Sequence, residues 1–225
     1  CVNIDTHTDS SEAYPSGWIK NYHLFLSSLL SANRRPMQIC VGNSHTLCLD
    51  TVGDMYSWGW GDRGQLGHNQ YKNEYAARKV ASFLNTTDRS AWQGQKLSPL
   101  RVLSTQVAIK QMACGDDHSV VLSREGVVFS WGSNRRGQLG LGVASNSVAS
   151  PTRVHSLRTR IGEVSCGAQH TVTLTLSGNV YVWGKGEQLG LGVCCPNAGD
   201  KNLPQSLKSL KRFRIRHISC GLFST

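Results

Sequence analysis

Long hydrophobic runs are missing from this chain. Its longest apolar stretch, Leu24–Leu30, is interrupted by serines and falls short of the roughly 18 residues that read as a membrane span. Proline is scarce, with 6 residues in 225, which excludes a proline-rich linker. Charged residues make up 17% against a usual share near 25%. That is too few for a charge-rich disordered protein, and the Ala, Glu, Lys and Leu excess of a coiled coil is absent as well. No Cys-x-x-Cys pair occurs among Cys1, Cys40, Cys48, Cys114, Cys166, Cys194, Cys195 and Cys220, so a zinc site has no spacing to support it. Eight cysteines in 225 residues are thin for a disulfide scaffold, and free thiols in a reducing compartment are the expected state. The first residues show no basic segment followed by an apolar run. The expected location is intracellular, cytoplasmic or nuclear.

Glycine, in contrast, is plentiful at 23 residues, above the usual share of about 7%. Lys and Arg number 24 against 14 Asp and Glu, a net charge of +10. A basic excess favours acidic partners such as nucleic acid, anionic lipid or an acidic protein face, without choosing among them.

The glycines punctuate a repeat. One copy reads Gly42-Asn-Ser-His-Thr, Gly53-Asp-Met-Tyr-Ser-Trp-Gly and Gly64-Gln-Leu-Gly. The next reads Gly115-Asp-Asp-His-Ser, Gly126-Val-Val-Phe-Ser-Trp-Gly and Gly137-Gln-Leu-Gly-Leu-Gly. The third reads Gly167-Ala-Gln-His-Thr, Gly178-Asn-Val-Tyr-Val-Trp-Gly and Gln188-Leu-Gly-Leu-Gly, and a fourth opens at Cys220-Gly221. His45, His118 and His170 are 73 and 52 residues apart, and Trp58, Trp131 and Trp183 show the same two spacings. The longer first spacing is traced to the stretch from Gly67 to Pro99, which exceeds that from Gly140 to Pro151. An insertion of about 21 residues is therefore expected within 69–98.

Each copy reads as short strands. Val172–Leu176 and Asn179–Trp183, joined by Ser177-Gly178, form a hairpin signal, and Val120–Leu122 with Val127–Trp131 repeats it. A third strand precedes each Cys-Gly, as in Val107–Ala113 and Ile161–Cys166, and Thr152–Leu157 supplies a fourth. Four short strands in about fifty residues mark a propeller blade. Helical repeats fail because glycine interrupts too often.

Cys-Gly-x-x-His-(Ser/Thr), followed by Gly-x-Val-(Tyr/Phe)-x-Trp-Gly and Gly-Gln-Leu-Gly-Leu-Gly, resembles the regulator of chromosome condensation repeat. The resemblance runs from about Pro36 to Thr225 and implies an all-β fold, a seven-bladed β-propeller of which about three blades are present. Val41 stands where the other copies have Cys, Ser224 stands where the fourth should have His, and copy three is two residues shorter between Trp183 and Gln188. Three blades do not close a ring, so a longer polypeptide with flanking domains is expected. Residues 1–35 lie outside the repeat. Trp18, Tyr22, Phe25 and Leu29 share one helical face there, with Ser16 as N-cap.

No catalytic constellation is present: no nucleophile beside a base, no phosphate-cradling loop, no metal ligand set. Catalytic residues, metal and cofactor are each expected to be none. His45, His118 and His170 are read as structural, satisfying turn backbone groups, and Trp58, Trp131 and Trp183 as packing between blades. In the family, light-sensing members depend on additional tryptophans near the histidine turn. Here those turns read Asn43-Ser44, Asp116-Asp117 and Ala168-Gln169, which argues against photoreception.

Partner-binding candidates lie where copies diverge. Arg63, with Asp62, and Arg135 and Arg136 occupy equivalent turns after the tryptophan, beside Asp116 and Asp117. Loops on a rigid frame are where binding resides, though solvated turn residues look the same in sequence. Lys208, Lys211, Arg212, Arg214 and Arg216 form the densest charge. As a strand, the three arginines would share one face and Phe213 and Ile215 the other. That ridge fits phosphate, an acidic protein surface, or a solvated blade edge. The expected role is a protein-interaction scaffold. Alternatives are guanine-nucleotide exchange on a Ran-type small GTPase, which the resemblance implies and which needs a wedge from the insertion, and binding of chromatin or nucleic acid through the ridge.

Overall fold

The computed structural model describes residues 34–81, 107–191 and 199–222. The helix read from Ser16 to Leu29 lies outside them. Among the described residues twelve strands form three antiparallel sheets, each a meander whose spatial order follows the chain. The first sheet holds β1 (Pro36–Val41), β2 (His45–Asp50), β3 (Met55–Gly59) and β4 (Glu74–Lys79). The second holds β5 (Ile109–Cys114), β6 (His118–Ser123), β7 (Val128–Ser133) and β8 (Ser147–Arg153). The third holds β9 (Ile161–Cys166), β10 (His170–Thr175), β11 (Val180–Gly184) and β12 (Lys201–Ser206).

Each hairpin turn is closed by the last side chain of its second strand. The Ser123 hydroxyl accepts the Val127 amide and the Thr175 hydroxyl that of Asn179. In the first sheet Asp50 takes this place and accepts three amides, from Val52, Gly53 and Asp54. A carboxylate accepts more bonds than a hydroxyl, but buried it needs a cation. Arg34 donates to both Asp50 and Asp54, and Lys79 pairs with Asp54 at 2.7 Å.

The blades stack face to face through apolar side chains. Leu47, Leu49, Met55 and Val80 of the first meet Met112, Val121, Phe129 and Trp131 of the second. Val120, Leu122, Val128 and Val154 of the second meet Val164 and Trp183 of the third. Burying such side chains contributes roughly 1.5–3 kcal/mol each.

The fourth strands correct two readings. β8 spans Ser147–Arg153, earlier than the expected Thr152–Leu157. In register, Arg78 opposite Ser57 corresponds to Thr152 opposite Ser130, so Ala77 stands where the second blade has Pro151. Pro99 was therefore a false landmark. β4 lies within the stretch 69–98, so the extra residues of the first copy follow Val80.

On its other face the first sheet has no blade against it among the described residues. Met37, Ile39 and Val41 are exposed, whereas Met112 and Cys114, the counterparts of Ile39 and Val41, pack against the first blade. The 225-residue chain alone is expected to self-associate through this face. Replacing Met37, Ile39 and Val41 by Thr should shift sedimentation toward a monomer. An unchanged sedimentation profile in that variant would locate the association elsewhere.

Candidate functional site

A repeated hydrogen-bonded joint sits where blades meet. The Ser119 hydroxyl donates to the Gln65 carbonyl at 2.8 Å, and the Trp131 indole N–H donates to the same oxygen at 2.8 Å. Between the second and third blades the Thr171 hydroxyl and the Trp183 indole converge on the Gln138 carbonyl at 2.9 and 2.8 Å. His45 Nε2 lies 2.9 Å from Ser119 Oγ, and His118 Nε2 3.0 Å from Thr171 Oγ1. Each hydroxyl has one proton and gives it to the glutamine carbonyl, so the imidazole is the donor and carries its proton on Nε2. The histidines thus bridge to the next blade's hydroxyl rather than serving mainly their own turn.

Glycine precedes each histidine because the ring lies over its Cα. A Cβ at Gly115 would collide with Cε1 and Nδ1 of His118. At Gly140, with φ of +67°, a Cβ would come within 2.7 Å of the Trp183 indole nitrogen. Trp131 and Trp183 are fully buried. Trp58 is half-buried on the face of the first sheet that carries Met37, Ile39 and Val41.

These histidines are kept neutral. Burial pushes His45 down to about 4 and His118 to about 3, the other two histidines adding to the effect on His118. Their arrangement is that of a structural joint.

The variable loops gather above this joint. Asp117 is held above the usual carboxylate range by burial, then by Asp116 and Asp62, and is opposed by Arg63 and Arg135. Asp62, Arg63, Asp116, Asp117 and Arg135 therefore share one rim. Burial also raises Asp116. Gln65 and Gln138 anchor the turns by accepting the amides of Arg63 and Arg136 at 2.9 Å each. Arg136 departs from the cluster and pairs with Asp200 at 3.4 Å. In the third copy, shorter by two residues, a 3-10 turn at Gly186–Gln188 replaces the loop and Lys185 pairs with Glu187.

The basic segment is not brought to the rim. Lys208 opens a short 3-10 turn and Lys211 caps it, while residues 214–220 carry no regular secondary structure. The expected two faces hold for Arg214, Ile215 and Arg216 and fail at Phe213. Phe213 is exposed and lies under Arg212, 5.2 Å from guanidinium to ring, while Ile215 packs inward. Arg212, Arg214 and Arg216 do face solvent, and the latter two line an open cleft with Lys110, Gln111 and Glu163. Sequence reasoning missed the Arg34–Asp50–Asp54–Lys79 cluster, whose only signal was an Asp in place of Ser or Thr before the hairpin turn. Among the described residues no helix is long and apolar enough to cross a membrane.

Comparison with known proteins bears on these features. The Regulator of chromosome condensation (RCC1) repeat matches residues 52–122, 125–174 and 177–225. The ultraviolet-B receptor UVR8 of Arabidopsis thaliana is 34% identical over 82% of this chain and 37% of its own length. The probable E3 ubiquitin-protein ligase HERC6 of Homo sapiens is 34% identical over 81% of this chain and 16% of its own. Among solved structures, human WBSCR16 superposes with a TM-score of 0.66 at 27% identity, over 84% of this chain and 44% of that one. Prp20p of Saccharomyces cerevisiae superposes with a TM-score of 0.65 at 22% identity, over 83% and 42%. The chain thus spans less than half the length of each.

The joint makes stability sensitive to acid. The unfolded histidines titrate near pH 6.5, above their folded values, so the unfolded state takes up protons first as pH falls. The stability is fully present above about pH 6.5 and declines toward pH 4, by about 1.4 kcal/mol per pH unit for each such histidine. Urea unfolding between pH 7 and 4.5 checks this. His118→Gln should be less stable at pH 7 and show a shallower decline below pH 6.5, and an unaltered slope would contradict the assignment.

Proposed function

The chain belongs to the regulator of chromosome condensation repeat family, and from that membership we propose that it works as a protein-interaction platform whose contact surface is the rim. One observation carries the reading: Asp62, Arg63, Asp116, Asp117 and Arg135 form a mixed-charge cluster that the fold does not require. The joint uses main-chain carbonyls, hydroxyls, indoles and imidazoles, and it repeats. The rim does not repeat. Its turns read Asn43-Ser44, Asp116-Asp117 and Ala168-Gln169, followed by Asp62-Arg63, Arg135-Arg136 and Gly186-Glu187. Charges held on a rigid frame at low entropy cost favour selective association with a protein of complementary pattern.

Two finer readings remain as outcomes of the test. One is guanine-nucleotide exchange on a Ran-type small GTPase, with the residues after Val80 as the wedge. The solved structure of Prp20p is described with its binding to Gsp1p and histones, and that likeness supports the fold alone. The other is chromatin or nucleic acid held by Lys208, Lys211, Arg212, Arg214 and Arg216.

A photoreactive residue placed at Arg63, Asp116 or Arg135 in the full polypeptide should crosslink a protein partner in cells. The same residue at Arg124 or Arg158, on the hairpin-turn end, should give at least tenfold less. Equal yields at both ends would defeat the rim reading. Incubation with small GTPases carrying fluorescent nucleotide is expected to leave release unaccelerated. Acceleration abolished by shortening residues 82–106 would establish exchange instead. Changing Arg212, Arg214 and Arg216 to Gln should alter the salt dependence of DNA binding by less than one unit of log–log slope. A change near three would assign the segment to phosphate.

A further inference from the structure

The innermost strands of neighbouring blades meet at three equivalent slots, and the chain fills each differently. Cys114 lies opposite Ser119 and Cys166 opposite Thr171, while Val41 lies opposite Thr46. Val41 therefore holds the position of the repeat cysteine. Cys40 lies one residue earlier, opposite Leu47, and one residue along a strand turns a side chain to the other face. That face looks toward the second blade. Cys40 and Cys114 both pack against the cluster of Leu47, Leu49, Met112 and Val121. The Cys40 position is held by Ala113 in β5, opposite Val120, and by Ser165 in β9, opposite Val172. The slots thus pair Cys40 with Cys114, Ala113 with Cys166 and Ser165 with Cys220. In the last, the Cys220 amide donates to Ser165 Oγ at 3.0 Å, which shows how close the paired positions come. In the first, the two thiols are near enough to perturb each other, Cys114 lowering Cys40 and Cys40 raising Cys114.

We propose that Cys40 and Cys114 form a reactive dithiol site that takes small disulfides as its co-substrate and closes into a covalent bond between the first and second blades. Cys40 is half-buried, so a small reagent reaches it, and the more deeply buried Cys114 thiol has only to meet Cys40. The roles differ. The neighbouring Cys114 lowers the Cys40 thiol, while burial holds Cys114 well above the usual thiol range. Cys40 is the attacking sulfur and Cys114 the resolving one. The Cys40 thiolate attacks one sulfur of a disulfide RSSR, forming Cys40–S–S–R and releasing RS⁻, which takes up the Cys40 proton. Cys114 then gives up its proton and attacks Cys40 Sγ, expelling a second RS⁻ that takes that proton. Two protein thiols lose two electrons, and one small disulfide becomes two small thiols. Cys166 and Cys220 face Ala113 and Ser165, so their slots hold no second sulfur.

The full polypeptide is incubated with oxidised glutathione, remaining thiols are alkylated, and the digest is mapped by mass spectrometry. The peptides carrying Cys40 and Cys114 should appear joined, lighter by two hydrogens, and separate on reduction with dithiothreitol. The thermal midpoint should rise by several degrees on oxidation and return on reduction, because the bond closes a long loop of the unfolded chain. Cys40→Ala copies the Ala113–Cys166 slot and Cys40→Ser the Ser165–Cys220 slot, so both variants keep pairings the fold already uses. Each should fold and show neither the joined peptide nor the rise. Cys40 and Cys114 both alkylated after oxidation, a glutathione adduct on Cys40 that never closes, or a joined peptide found only in urea would overturn the proposal.

Discussion

Each blade presents the next with one buried main-chain carbonyl that must be hydrogen-bonded, Gln65 to the second blade and Gln138 to the third. Left without donors, such an oxygen costs roughly 1–3 kcal/mol. Two donors from the following blade meet it, a hydroxyl and an indole N–H. The hydroxyl is oriented by the imidazole of the preceding blade, and the imidazole fits only over a glycine. The repeated motif is the set of residues this one oxygen requires. A second bond supports the same turn: Ser57 and Ser130 donate to the carbonyls of Leu66 and Leu139 at 2.7 Å. Val182 stands at that position in the third copy, where the loop is also shorter and a 3-10 turn replaces it.

A joint built this way separates framework from surface. Its members are buried and repeat, whereas the residues between them emerge at the rim and are free to differ. Divergence at Asp116-Asp117 against Asn43-Ser44, or Asp62-Arg63 against Arg135-Arg136, leaves the joint untouched. The fold by itself therefore does not assign a function. The cysteine slots show the same separation inside the core, where Cys, Ala and Ser fill one position with different chemical consequences.

Strand order, blade count and the inter-blade role of Trp131 and Trp183 were legible because they rest on landmarks repeated at equal spacing. Errors came from landmarks that one copy lacks. Ala77 occupies the register position of Pro151, so Pro99 is not its counterpart and the extra residues follow Val80. The basic segment was legible only in part. Alternation from Lys211 to His217 satisfies a strand pattern, but Lys208–Leu210 forms a 3-10 turn and Phe213 remains in solvent under Arg212. Periodicity records which residues suit a strand, and which side is buried depends on what packs there.

By itself the sequence determined the unit: four short strands, a glycine turn before each histidine and a tryptophan closing the third strand, since those choices follow from local sterics and alternation. Tertiary structure decided which copies' residues meet. His45 finds Ser119 across 74 positions and Trp131 finds Gln65 across 66, contacts that no local pattern encodes. Cys40 shows the reason most directly. A shift of one residue is trivial along the chain, yet it reverses the face of the strand, and only the packing of β1 against β5 puts Cys114 on that side.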